Sequence, residues 1–141
     1  MNAPGSIESP VPAGSGGLRD LLNIRHADPI DGCAVLEMTI RPEHLNIIGT
    51  LHGGVLLTLI DIACGRAVSF DARTGETRPV VTLSLATSFT GQASAGTVKA
   101  IGRKRAGGRT IAFASAEVFD ERGSLIGYGE GNFRYVPAAI R

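Results

Sequence analysis

The stretch that most constrains the fold is NIIGTLHGGVLLTLIDIACG, residues 46–65. Within Val55–Cys64 only Thr58 and Asp61 are polar, and this pattern predicts a helix over residues 53–70. A helix that is apolar on nearly every side is buried on nearly every side. The rest of the chain must therefore surround this segment, and Asp61 needs a reason to be there because burying an unpaired carboxylate is costly.

The remaining sequence supplies that surrounding surface as β-strands. Apolar and alternating runs predict strands over 33–40, 80–89, 96–105, 109–119 and 125–136, and residues 18–26 predict a short helix. Two of the strands have a face of very small side chains, which are Ala112, Ala114 and Ala116 in one and Gly127, Gly129 and Gly131 in the other. Glycine inside a strand usually marks the close approach of another backbone. The order of strand, long helix and four strands predicts an α+β fold in which an antiparallel β-sheet wraps around one long central helix.

Composition narrows the classes of function. A chain of 141 residues, 43% of them apolar, predicts one domain at 18–141 behind a flexible N-terminal tail at 1–17. The 14 Lys and Arg residues against 13 Asp and Glu leave no overall field to attract nucleic acid or an anionic membrane. The apolar run 55–64 is far shorter than the roughly 20 residues that a membrane span needs. Cys33 and Cys64 are too few for a disulfide framework, so we expect reduced thiols and a cytoplasmic location.

Two features of the helical segment are candidates for chemistry. Asp61 is either a surface acid, solvated or paired with Arg66 or Arg103, or the acid of a functional site. The sequence HGG at 52–54 either gives flexibility at the helix start or leaves backbone N–H groups uncovered there. Uncovered N–H groups at the positive end of the helix dipole would suit a developing oxyanion.

Three further positions give weaker signals. Asn46 and Gly49 lie in the loop before the helix, where a role in a turn is common. Thr82 lies on the small, hydroxylated face of the strand 80–89, whose odd positions are mainly apolar.

The densest group of basic residues flanks a predicted hairpin at AGG. Its members are Lys99, Arg103, Lys104, Arg105 and Arg109. Such a run is either a solvated strand face or a contact for phosphates, and without interleaved aromatic residues it does not predict a nucleic-acid groove. The histidines and cysteines lack the spacing of metal ligands, so we expect no metal site. A GxSxG serine-hydrolase elbow is absent from the sequence.

Taken together, Asn46, Gly49, HGG at 52–54 and Asp61 resemble the signature of hotdog-fold acyl-CoA thioesterases of the PaaI type, named for phenylacetate degradation. The resemblance runs from about Ala34 to Val136 and includes the GGRT hairpin and the GYGEGNFRY strand. It implies a hotdog fold and hydrolysis of an acyl-CoA thioester to free acid and coenzyme A, without a metal or redox cofactor. It also implies a homo-oligomer, which is at least a dimer and can be a tetramer of two such dimers.

The resemblance assigns roles to single residues. It gives the backbone N–H of Gly53 to the thioester carbonyl, and it makes Asp61 the nucleophile or general base. Asn46 and His52 would position groups around that acid, and Thr82 would orient the water or the carboxylate. The substrate-binding residues that it implies, several of them for the coenzyme A phosphates, are Gly54, Arg103, Arg105, Gly108 and Arg109.

Helix geometry separately predicts that the site is shared between two chains. Asp61 follows Gly53 by eight residues, about 12 Å along a helix axis at roughly 1.5 Å per residue. A general base and an oxyanion donor must each come within about 3 Å of one reacting centre. Two antiparallel helices across a twofold axis would bring Gly53 of one chain opposite Asp61 of the other.

Two other functions compete with hydrolysis. One is a hotdog protein that binds acyl-CoA without turnover, and the other is a hotdog hydratase or dehydratase that acts on enoyl thioesters. Release of free thiol separates hydrolysis from both. Leu57, Phe70 or Phe89 could shape an acyl pocket, but their sequence positions do not select an acyl group.

Overall fold

The structure, a computed structural model, describes residues 16–137, which form a six-stranded antiparallel sheet packed against one long helix. The elements in chain order are α1 (Leu18–Leu21), β1 (Arg25–Ile30), β2 (Cys33–Thr39), a 3₁₀ turn (Pro42–His44), α2 (Gly53–Ser69), β3 (Val80–Phe89), β4 (Thr97–Gly107), β5 (Ile111–Phe119) and β6 (Leu125–Tyr135). The strand order is β1-β2-β4-β5-β6-β3, and every neighbouring pair is antiparallel. The predicted α+β arrangement is confirmed. Nearly all of the predicted tail at 1–17 lies outside the described residues, so the division at residue 18 stays a prediction.

The long helix α2 packs across one face of the sheet and contacts β2 through β6. Its buried side chains are Leu56, Leu59, Ile60, Ala63, Cys64 and Val68. The sheet meets them with the small faces seen in the sequence. A Cβ on Gly127 would overlap the Leu56 side chain, and one on Gly129 would lie 3.1 Å from Ile60 Cγ2. The small residues therefore let the sheet wrap closely around the helix, as predicted.

The closest backbone approach lies at Gly102 in β4. A Cβ there would overlap the carbonyl carbon and oxygen of Ala63 in α2. Backbone atoms cannot swing aside as the end of a flexible side chain can, so only glycine fits at this position. Gly102 thus sets the distance between the helix axis and the middle of the sheet.

Burial of α2 is less complete than the sequence predicts. Leu57 is 37% exposed, and Val55, Asp61 and Ile62 are only partly buried in the isolated chain. The expectation that the helix is enclosed on nearly every side is therefore wrong for a single chain. The sheet covers one side of the helix, and the other side keeps an apolar strip in contact with solvent.

The sequence also missed one strand. The helix predicted over residues 18–26 ends at Leu21, and Arg25–Ile30 forms β1, which is paired with β2 alone. Five of the six β1 residues are exposed, so the strand lacks the hydrophobic alternation that would reveal it. Pro29 is tolerated because β1 is an edge strand, where a missing N–H costs no ladder hydrogen bond on the open side.

The other edge of the sheet is β3, and a bulge interrupts its alternation. Thr82 is opposite Phe133 and Ser84 is opposite Asn132, so Leu83 is the extra residue. Before the bulge Thr82 faces α2, and after it Leu85 packs against the core. The prediction of one apolar face on the odd positions of this strand is therefore wrong, since the bulge changes which positions face the helix.

We predict that Gly102→Ala destabilises the protein by about 1–3 kcal/mol or more, because the added methyl group overpacks against backbone. Gly108→Ala is the matched control: no atom lies within 4 Å of its added Cβ. We expect the control to change the free energy of unfolding by less than about 1 kcal/mol. Urea denaturation at one fixed protein concentration measures both, and equal stabilities for the two variants would show that the helix–sheet distance is adjustable.

Candidate active site

The central contact of the site joins α2 to β3. The Thr82 hydroxyl donates a hydrogen bond of 2.7 Å to Asp61 Oδ1. The other carboxylate oxygen has no hydrogen-bond partner among the described residues, and neither Arg66 nor Arg103 pairs with Asp61 there. A carboxylate with one oxygen held and the other open can accept a proton from a water or attack a carbonyl.

The bulge in β3 explains why Thr82 reaches this acid. Val80 and Thr82 both face α2, and Leu83 takes up the extra residue immediately afterwards. With simple alternation along the whole strand, a core-facing Leu85 would turn Thr82 away from Asp61. β-bulges are frequently found beside active sites because they re-aim single side chains.

The start of α2 leaves one N–H group open. His52 is the N-cap residue, and its Nδ1 accepts a hydrogen bond of 2.8 Å from the Gly54 N–H. This bond leaves the imidazole proton on Nε2, which has no acceptor among residues 16–137. The Gly53 N–H has no acceptor among residues 16–137. It therefore can donate to an anionic oxygen at the positive end of the helix dipole.

Two apolar side chains lie near the start of the helix. The Phe89 ring at the end of β3 would lie 3.5 Å from a Cβ on Gly53, and Leu57 is one helical turn further along. Both are substantially exposed, with Phe89 at 56%. Phe70, the third candidate for an acyl pocket, lies instead under the Arg66 guanidinium at the far end of the helix.

Asn46 organises the loop that leads into the helix. Its Oδ1 accepts hydrogen bonds from the backbone N–H groups of Ile48 and Thr50, and its Nδ2 donates to the Thr50 hydroxyl. Gly49 has a φ of 82°, which closes the same turn. In the isolated chain Asn46 is thus a turn residue and does not contact Asp61.

Three of the basic residues of β4 contact side chains of neighbouring strands in this chain. Arg103 donates to Cys33 Sγ at 3.0 Å, Arg105 donates to Ser115 Oγ at 2.7 Å, and Lys99 lies 3.8 Å from a Glu37 oxygen. Arg109 is exposed in the hairpin turn, next to Gly108. Arg103 and Arg105 follow Gly102, which contacts Ala63 in the second half of α2. The Arg109 carbonyl accepts a hydrogen bond from Arg78, whose own N–H bonds Ser69 at the end of α2. These three arginines therefore lie toward the C-terminal end of α2, away from the Gly53 N–H.

Sequence reasoning missed the role of His44. This side chain is fully buried. Its Nδ1 accepts a hydrogen bond of 3.0 Å from the Arg41 backbone N–H, and its Nε2 lies 2.9 Å from the Leu22 carbonyl oxygen. The backbone carbonyl of His44 accepts a hydrogen bond from the His52 N–H, so His44 supports the residue that caps α2. A single histidine two residues after a proline belongs to no sequence pattern that would indicate this role.

The described residues hold few other reactive groups. Cys33 and Cys64 are both buried free thiols, and neither forms a disulfide. Burial, and to a lesser extent the charge of Asp61, raises the pKa of Cys64 to about 12, so this thiol stays protonated at neutral pH. Residues 16–137 contain no cluster of histidine, cysteine and acidic side chains that could hold a metal ion. They also contain no helix long and apolar enough to cross a bilayer.

The site thus has two parts in each chain. Asp61 and Thr82 make one part in the middle of α2, while His52, Gly53 and Phe89 make the other part at its start. The two parts lie along one helix and face one strand, so they are separated by the length of the intervening turns.

Comparison with known proteins identifies the family. The sequence model of the Thioesterase superfamily matches residues 48–126, which include the helix and most of the sheet. The chain belongs to the Thioesterase superfamily. A point variant of the phenylacetic acid degradation protein PaaI from Thermus thermophilus has the same fold, with a TM-score of 0.73 and 28% identity over 86% of this chain and 100% of that one. The predicted hotdog fold and the resemblance to the PaaI type are both confirmed.

Two curated relatives carry related names. A Pseudomonas aeruginosa protein named as a candidate esterase is 36% identical over 85 residues, which are 60% of this chain and 62% of that protein. The match therefore spans less than two thirds of that relative's length. Human acyl-coenzyme A thioesterase 13 is 32% identical over 102 residues, covering 70% of this chain and 69% of the human protein.

Proposed function

We propose that this protein is an acyl-CoA thioesterase that hydrolyses an acyl-CoA to the free acid and coenzyme A. The observation that carries the proposal is the Asp61 carboxylate, fixed at one oxygen by Thr82 and open at the other. The superfamily match and the likeness to an acyl-CoA thioesterase support thioester hydrolysis as the reaction.

The chemistry follows from the two parts of the site. Asp61 takes a proton from a water molecule as the water oxygen attacks the thioester carbonyl carbon. The oxyanion that forms accepts a hydrogen bond from the Gly53 N–H. The carbon–sulfur bond then breaks, and the coenzyme A thiolate leaves and takes up a proton. Direct attack by Asp61 is the alternative route, and it needs the same ionised carboxylate with one oxygen free.

We propose that the two parts meet across a dimer in which β3 is the shared edge. This strand has ten residues and no partner on its outer side, and its outward Val81 and Leu83 are 49% and 54% exposed. A long apolar edge strand invites pairing with another copy. Antiparallel pairing of two β3 strands would set the α2 helices antiparallel, which covers Leu57 and the half-buried Asp61.

Coenzyme A would then meet basic residues on the chain that supplies Asp61. Arg103 and Arg105 in β4 and Arg109 in the β4–β5 turn lie beside the C-terminal half of α2, so they would approach the partner's Gly53 rather than their own. In this arrangement Asn46 and His52 support the oxyanion side. A cytoplasmic location and a tetramer of two such dimers stay predictions.

We predict that Asp61→Asn lowers kcat by at least about 10²-fold, the low end for a positioned acid–base group. Thr82→Val should be milder, because it removes one hydrogen bond worth roughly 0.5–1.5 kcal/mol. Asp71→Asn is the matched control and should keep full activity, since Asp71 pairs with Arg73 outside the site. Release of free thiol from a panel of acyl-CoAs measures all three, and a folded Asp61→Asn protein with normal turnover would end the assignment.

The same panel separates the rival functions. Binding of acyl-CoA without thiol release by the wild type would show a non-catalytic binding protein. A change in enoyl absorbance without thiol release would show a hydratase or dehydratase. The half-open Asp61 favours hydrolysis, because a binding protein has no need of an acid fixed in this way.

For the basic residues, we predict that Arg103→Gln, Arg105→Gln or Arg109→Gln raises KM for acyl-CoA and leaves kcat largely unchanged. Phosphate contacts are equally strong in the ground state and the transition state, so their loss weakens binding only. The effect should shrink at high salt. Arg122→Gln, in the β5–β6 turn, is the control. Unchanged KM in all three variants would show that the coenzyme A phosphates bind elsewhere.

A further inference from the structure

A cavity lies at the opposite edge of the sheet from Thr82. It has a volume of about 260 Å³ and is formed between the β1–β2 hairpin and the last turns of α2. Since β1 and β3 are the two ends of the strand order, the whole width of the sheet separates this cavity from Thr82. The proposed hydrolysis uses none of the residues that line it.

One fixed positive charge lines the cavity. The Arg66 guanidinium stacks on the Phe70 ring, 3.9 Å from its centroid, and both residues belong to the lining. Within residues 16–137, Arg66 has no acidic partner at ion-pair distance. The nearby Asp71 already pairs with Arg73 at 3.4 Å. Burial and, to a lesser extent, the charge of Arg19 lower the pKa of Arg66, so a negative group in the cavity would stabilise its charged form.

A hydrogen-bond donor lies beside that charge. His26 Nε2 is 2.6 Å from an Arg19 nitrogen, and arginine only donates, so Nε2 is the acceptor and the ring proton is on Nδ1. Partial burial, followed by the charges of Arg66 and Arg19, lowers the pKa of His26, which agrees with a neutral ring. The Nδ1–H group has no acceptor among the described residues and is free to bind a ligand.

The rest of the lining is apolar and small. It includes Ala27, Pro29, Ala34, Ala67 and Ala72. A guanidinium fork matches the two oxygens of a carboxylate, and an apolar wall suits a hydrocarbon body. The volume is below the roughly 300–1,000 Å³ of pockets for drug-sized ligands, which restricts the ligand to a small molecule.

We propose that this cavity binds a small organic acid with an aryl or short alkyl body, its carboxylate on Arg66 and His26 and its body among the alanines and Phe70. The site stands whether or not the protein is a thioesterase. If it is one, this site holds an acid at a place distinct from the site where the reaction releases one.

The test uses 4-fluorobenzoate on the full chain, followed by ¹⁹F NMR. We expect saturable binding, and binding of neutral 4-fluorobenzamide at least about tenfold weaker because it cannot form the charge-assisted pair. Acetate and inorganic phosphate should compete poorly, since acetate has only one methyl group to bury and phosphate has no apolar body. Equal binding of the amide, equal competition by phosphate, or no saturable binding of the acid would overturn the proposal.

Variants locate the binding. Arg66→Gln should weaken 4-fluorobenzoate at least about tenfold, and Ala67→Leu should weaken it by filling the cavity without changing the charge. Arg122→Gln is the control for loss of one positive charge and should bind as the wild type does. Thermal unfolding confirms that each variant is folded. Binding that survives in both cavity variants would contradict the proposal and place the acid elsewhere, for instance in the proposed hydrolysis site.

Discussion

The packing of α2 against a sheet face made of glycine and alanine is the constraint on which the rest of the structure depends. Gly102 lets the Ala63 carbonyl touch β4, and the small residues of β5 and β6 accept the large side chains of the helix. The helix is thereby held along β3, with Asp61 beside Thr82 and Gly53 beside Phe89. The same helix keeps Asp61 and Gly53 apart within one chain, so the proposed hydrolysis requires a second chain.

Much of the fold could be predicted from the sequence because its strongest features are local. The apolar run of α2, five of the six strands and the small faces all follow from periodicity and side-chain size. Two features could not be predicted, because they depend on a partner strand. The exposed β1 is a strand only through its pairing with β2, and the bulge at Leu83 is set by the register of β3 on β6.

In the candidate site, the contact between Asp61 and Thr82 could be predicted, whereas the contacts of its other members could not. The isolation of Asp61 in an apolar helix indicated a functional acid, and the structure places Thr82 on it as the resemblance implies. The sequence could not show that Asn46 is occupied within its own turn or that Arg103 contacts Cys33. Those contacts depend on backbone geometry and on neighbours distant in sequence, and neither leaves a mark in composition or spacing.

The central claim, that each active site combines two chains, is tested most directly by complementation. Asp61→Asn chains lack the acid, and Gly53→Pro chains lack the N–H. We expect the helix to persist in Gly53→Pro, because proline fits the first helical position. His52, the residue before it, is already extended, with φ −62° and ψ 135°, as a residue before proline must be. After the two variants are unfolded and refolded together in equal amounts, half of the dimers are mixed and each mixed dimer has one intact site. The account predicts about a quarter of wild-type activity from a mixture of two inactive proteins. If differently tagged subunits co-purify and the mixture stays inactive, the two-chain site is contradicted.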